Sequence, residues 1–181
     1  VEGVWVFVGA DMVFFAVLFV SFVLGRRDAG GLFEAGRRTL NPNFGGINTL
    51  ILLTSSWFMV LAVDAAKHDR LTEIPRWLTA ALSCGLAFAV SKSIEYGGKL
   101  AAGITPVTND FYMYYFVLTG VHLLHVIAGT VMLLVFRNMA RTGAFSSKKF
   151  VVLECGAIYW HMVDLLWIVL FPLLYLMRSS G

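Results

Sequence analysis

The sequence is short of charge. Only 14% of its 181 residues are Asp, Glu, Lys or Arg, while 59% are hydrophobic and mean hydropathy is +0.78. A soluble domain is about half apolar and about a quarter charged. A large soluble domain is therefore excluded and a polytopic membrane protein is indicated. The net charge of +3 is small and scattered, which excludes a nucleic-acid reader. Cysteine is nearly absent. Cys84 and Cys155 lie on different predicted helices, with no C-x-x-C pair and no C-x-x-C-H. This leaves a dinuclear copper–thiolate centre, an iron–sulfur cluster and covalent c-type haem without support. The two thiols read as membrane-buried groups without redox work.

What is present is apolar length. A spanning helix needs about 20 mainly apolar residues. Five such runs occur, at 3–24, 46–66, 77–96, 111–136 and 150–177. With no repeat and no low-complexity segment, the expectation is an all-α, five-transmembrane-helix bundle forming one domain over 1–181. The fifth run exceeds what lipid requires, so it tilts or protrudes. Arg26-Arg-Asp-Ala-Gly-Gly and Asn41-Pro-Asn read as turn signals bracketing a first loop, and Gly97-Gly98 as the end of the third helix. Pro75 suits the first turn of that helix. Residue 1 is valine, which suggests a short missing piece before it; the first run lacks a small-residue cleavage site and reads as a spanning helix, not a cleaved signal.

The positive-inside rule does not orient the bundle by count. The N-terminal side takes loops 64–76 and 137–149, with three and four Lys/Arg; the other side takes 25–43, 92–110 and Arg178, with four, two and one. Loop 137–149 alone has no acidic residue, which tilts the expectation toward an N-terminus inside the cytoplasmic membrane.

Polar residues inside the spans are expensive and often mark function. Asp11 lies about 12 Å along the first helix at 1.5 Å per residue, in line with Phe15, Leu18 and Phe22. It is either a proton-linked or conformationally important acid, or hydrogen-bonded glue between helices. His122 and His125, at i and i+3, share a face with Tyr115 and Gly129, and glycine lets a second helix come close. They read as interhelical hydrogen bonders. Metal or haem ligation is the weaker reading, because further ligands must come from elsewhere. His161 and Asp164 are also at i,i+3, with Glu154 seven residues earlier. No nucleophile elbow accompanies them, so acyl transfer is disfavoured. A buried polar network of Glu154, His161 and Asp164 is expected. Lys92 is placed to pair with Glu95 or to snorkel. Neither a metal site nor a cofactor site is expected in this chain.

Three groups of residues together resemble subunit III of the haem–copper oxidase superfamily. They are Glu95-Tyr96, Thr119-Gly-Val-His122-Leu-Leu-His125-Val-Ile-Ala-Gly129 and Glu154-Cys-Gly-Ala-Ile-Tyr159-Trp160-His161-Met-Val-Asp164-Leu-Leu-Trp167. Leu40-Asn-Pro and Ile47-Asn-Thr-Leu-Ile-Leu-Leu are also similar to the family's entry to its next segment. The likeness covers almost the whole chain, in a five-helix form lacking the first two helices of longer members. Asp11 stands where the family often has a buried glutamate. That, with Gly3-Val-Trp-Val-Phe and Thr54-Ser-Ser-Trp57, is more similar to the subunit III-like proteins of bacterial nitric oxide reductases. The resemblance implies a non-catalytic subunit without a redox centre, packed on a catalytic subunit I-like protein that holds haem and metal. It also implies contact with membrane lipids, bound phospholipid among them, in a bacterial cytoplasmic (inner) membrane. Two other functions compete. An autonomous b-type cytochrome would show haem absorbance in the isolated chain. A small proton-coupled transporter would use Asp11 and Glu154 and show pH-driven flux alone, and it would be favoured by inverted repeats, of which none is seen.

Overall fold

The fold is taken from a computed structural model, which describes residues 2–143 and 147–177. Six α-helices follow in order: α1 (Glu2–Asp28), α2 (Gly30–Arg38), α3 (Pro42–Lys67), α4 (Ile74–Ala101), α5 (Asp110–Arg141) and α6 (Ser147–Phe171), with a π-helical turn at Pro172–Leu176. Five of the helices are long and apolar enough to cross a membrane. The described residues contain no strand. The all-α membrane bundle is as expected.

Local sequence sets the helix ends. Asn41 caps α3, its side-chain oxygen accepting from Asn43 N at 3.0 Å, with Pro42 in the first turn. Asn109 caps α5 in the same way through Tyr112 N at 3.0 Å. Two expectations need correction. The 25–43 segment is not a plain loop, because α2 forms inside it. Phe33 and Gly36 are buried at helical spacing, and Phe33 packs edge-on against Phe22 and Phe111. That packing outweighs the poor helix propensity of Gly30 and Gly31. The opposite face carries Glu34 paired to Arg37 and Arg38, and Glu34 raises the pKa of the Arg37 guanidinium. Nor does Gly97-Gly98 end α4. The helix runs on to Ala101 because Lys99 is still turned inward. The stop is Gly103, at φ +75, which lets Ile104 N bond back to Lys99 O at 2.9 Å.

Helices α3 and α5 each pack against both α4 and α6, and α1 lies outside against α5 and α6. The N-terminal end of the bundle carries the α3–α4 and α5–α6 connections. The opposite end carries α2, the α4–α5 connection and the π-turn. Indoles tie the helices crosswise. Trp160 Nε1 donates to Ser55 Oγ at 3.0 Å, and Ser55 donates to Ala81 O at 3.0 Å, so α6, α3 and α4 share one chain of bonds. Trp167 Nε1 donates to Thr49 Oγ1 at 3.0 Å. Thr54 bonds its own helix at Leu50 O, and the buried Asn48 amide has no partner among the described residues.

Candidate functional site

The polar groups inside the bundle fall into three clusters. The first joins α1 to α5. His125 Nε2 lies 3.0 Å from Asp11 Oδ1, and His125 Nδ1 lies 2.7 Å from the Val121 carbonyl. Phe15 stands edge-on to the imidazole, and Tyr159 of α6 donates to the His125 carbonyl at 3.0 Å. Asp11 therefore has a partner at depth, although its Oδ2 is buried with none.

The second cluster lies toward the opposite end and is the most heavily built. Lys92 is fully buried and donates from Nζ to Glu95 Oε2 at 2.9 Å and to the Tyr175 hydroxyl at 3.0 Å. Glu95 Oε1 accepts from the hydroxyls of Tyr115 at 2.7 Å and Tyr175 at 2.6 Å. The rings of Tyr96, Tyr115, Trp167 and Tyr175 surround the ammonium at 5.2–5.6 Å. Those distances suit cation–π attraction. A buried charge survives only when paired and hydrogen-bonded, and both halves of this pair are. Lys99 follows about two turns after Lys92, 3.5 Å from Thr39 O and over the rings of Tyr112 and Tyr115. Tyr96 and Thr119 hydroxyls meet at 2.5 Å beside it. Tyr175 reaches Glu95 from the π-turn, so the cluster pins that turn to α4 and α5.

The third cluster sits on α6 and is looser than the single network expected of Glu154, His161 and Asp164. The three side chains do not bond to one another. His161 Nδ1 meets Ser56 Oγ of α3 at 2.5 Å. Asp164 is buried and bears on Ser56, yet neither of its carboxylate oxygens reaches hydrogen-bond geometry with a partner. Glu154 is partly exposed and pairs with Lys67 at 3.3 Å, at the N-terminal end of the bundle. Glu154 stands two helical turns before His161, so the two meet α3 at different heights, at Lys67 and at Ser56. His122, from α5, is fully buried; its Nε2 meets the Val163 carbonyl at 2.9 Å between the rings of Phe88 and Trp167.

Most of these contacts run between different helices. Ser56, His161 and Asp164 do not line up as a relay, because the acid does not bond the imidazole. No group of three or more His, Cys, Asp or Glu among the described residues is placed to hold a metal ion. Sequence reasoning passed over Lys99 and Tyr175, and it named Tyr115 and the Thr54-Ser-Ser-Trp57 run that holds Ser56 without assigning either a partner. Only the Lys92–Glu95 spacing signalled the second cluster.

The matches to known proteins agree with this picture. A family model described as "Cytochrome c oxidase subunit III" matches residues 2–179. Quinol oxidase subunit 3 of Bacillus subtilis is 33% identical over 184 residues, covering 99% of this chain and 87% of the relative. Cytochrome bo(3) ubiquinol oxidase subunit 3 of Pseudomonas aeruginosa is 31% identical, covering 99% of this chain and 85% of the relative. Cytochrome c oxidase subunit 3 of a Synechocystis strain is 32% identical, covering 97% and 74%. The chain belongs to the cytochrome c oxidase subunit III family.

Proposed function

We propose that the protein is a non-catalytic integral-membrane subunit of a respiratory complex of the haem–copper superfamily, oxidase or nitric oxide reductase. It stabilises a catalytic subunit I-like partner that carries the haem and metal, and it supports that partner's turnover. The family match along nearly the whole chain carries the reading. The polar clusters support it, since their donors and acceptors join helices to one another. His125, for example, has both ring nitrogens engaged. Glu95, His122, His125 and the α6 residues act as structural ties in this reading, and Asp11 acts on the partner only through its place in the bundle.

The complex would sit in a bacterial cytoplasmic membrane with the N-terminus inside. One observation favours that orientation. Lys92 is buried in α4 and bonded to Glu95, so the far side loses one basic residue from the loop tally. The test is purification of the tagged chain from its native membrane. A large haem protein should travel with it, and the metal content of that protein would identify the acceptor chemistry. Haem absorbance retained by the chain alone would contradict the reading and support a b-type cytochrome.

A further inference from the structure

A groove of about 330 Å³ runs over the outer face of α6, walled by Trp5 of α1 and Val63 of α3. A second hollow continues it past Val60 and Lys67, and His161 lines both. His161 spends Nδ1 on Ser56, and its Nε2 has no hydrogen bond among the described residues. The residue is about 16 Å along α6 from Phe150 at 1.5 Å per residue, near mid-depth of a span. Glu154 and Cys155 line the same groove nearer its end. Past His161 the stripe turns apolar with Leu165 and Ile168, which are 46% and 41% exposed at helical spacing.

Acyl chains cannot satisfy an open imidazole nitrogen, and a polar group left unpaired in hydrocarbon costs free energy. The outer face of α4 is different. Leu86, Val90 and Ile94 are exposed there, while Ser83 and Ser93 donate to carbonyls of their own helix. That face is complete in lipid. The α6 groove is not: a hydrogen-bonding position sits at its centre, two helices wall it, and apolar floor lies beyond. Such a slot suits one helix with a polar side chain at mid-depth.

We propose that this groove seats a transmembrane helix of the catalytic subunit, which presents a hydrogen-bonding side chain to His161 Nε2. The proposal rests on the subunit reading above.

The test uses the whole complex in native membranes. A benzophenone amino acid is placed at Leu165 and, as a control, at Val90. Irradiation should join the chain to the haem-bearing subunit from Leu165 and not from Val90. An adduct from Val90 as strong as that from Leu165 would overturn the docking site. So would an adduct at Leu165 with lipid alone, with a second copy of this chain or with any other subunit. In each of those cases a copurifying haem protein would leave the subunit reading standing. If no haem protein copurifies with the unmodified chain, both readings fall. The hydrogen bond is tested separately. His161→Leu should weaken retention of the haem subunit during detergent washing by roughly three- to twentyfold, the span set by membrane hydrogen-bond strengths, while His161→Gln should retain it. Equal retention in the two variants would overturn the role given to Nε2.

Discussion

Asp11 and His125, 114 positions apart, meet at 3.0 Å and fasten the outlying α1 to α5. The imidazole faces an acceptor on each side, the Val121 carbonyl and the Asp11 carboxylate. Both contacts are satisfied only when a proton is held between the histidine and the acid. A neutral amide in place of the acid can donate to Nε2 instead, leaving Nδ1–H for the carbonyl.

Asp11→Asn should therefore assemble and melt like the wild type. Asp11→Ala leaves Nε2 unpaired in the bundle and should cost about 1–3 kcal/mol. Thermal unfolding of the detergent-solubilised complex checks the difference. Slower turnover of Asp11→Asn at high pH, with assembly intact, would show instead that ionisation of Asp11 matters to the partner.

The Lys92–Glu95 pair should be the least tolerant pair in the molecule. Lys92→Met leaves a caged carboxylate without its cation, and Glu95→Leu leaves a buried ammonium without its anion. Each should destabilise by about 3–5 kcal/mol, and the double variant by less than the sum of the two. Unfolding of the four proteins in one detergent measures the coupling. Additive losses would show that the two side chains act independently.

The C-terminal turn should matter through one hydroxyl. Tyr175→Phe keeps the ring over Lys92 but removes the bonds to Glu95 and Lys92. The expected loss is about 1–3 kcal/mol, the cost of leaving buried partners unpaired. Tyr114→Phe is the control, since its hydroxyl is not part of the cluster. Equal stability of the two variants would remove the π-turn from the account.

Close approach at Gly129 can be tested by adding one carbon. A Cβ there would sit 2.6 Å from two atoms of the Trp160 indole, whose ring is buried and bonded to Ser55. Gly129→Ala should cost about 1–3 kcal/mol by overpacking, whereas Gly120→Ala, whose Cβ would meet only the Tyr96 hydroxyl at 3.9 Å, should be near neutral. Melting temperatures of the two variants decide this.

The five spans were legible because length and hydropathy are local properties. So was the Lys92–Glu95 pair, because i,i+3 neighbours meet on any helix. The close approach at Gly129 could be anticipated, but not that Trp160 makes it. Partners across helices were not legible. Nothing near Asp11 points to His125, and nothing near Glu95 points to Tyr175, which reaches it from the π-turn that opens at Pro172. The expected α6 network failed for a related reason. Periodicity places Glu154, His161 and Asp164 near one face, but it does not say that α3 supplies Ser56 to one and Lys67 to another. Helix α2 was hidden by its two leading glycines and by charges that read as a turn.

In the proposed role, this chain sustains a catalytic partner without holding a redox centre. The most direct measurement compares the purified complex with and without the chain, recording visible spectrum, initial rate and turnover lifetime on the same preparations. Without the chain, the haem spectrum should be unchanged, the initial rate close to that of the full complex, and the lifetime during turnover shortened. Loss of a haem band along with the chain, or a lifetime that does not change when it is removed, would rule out that role.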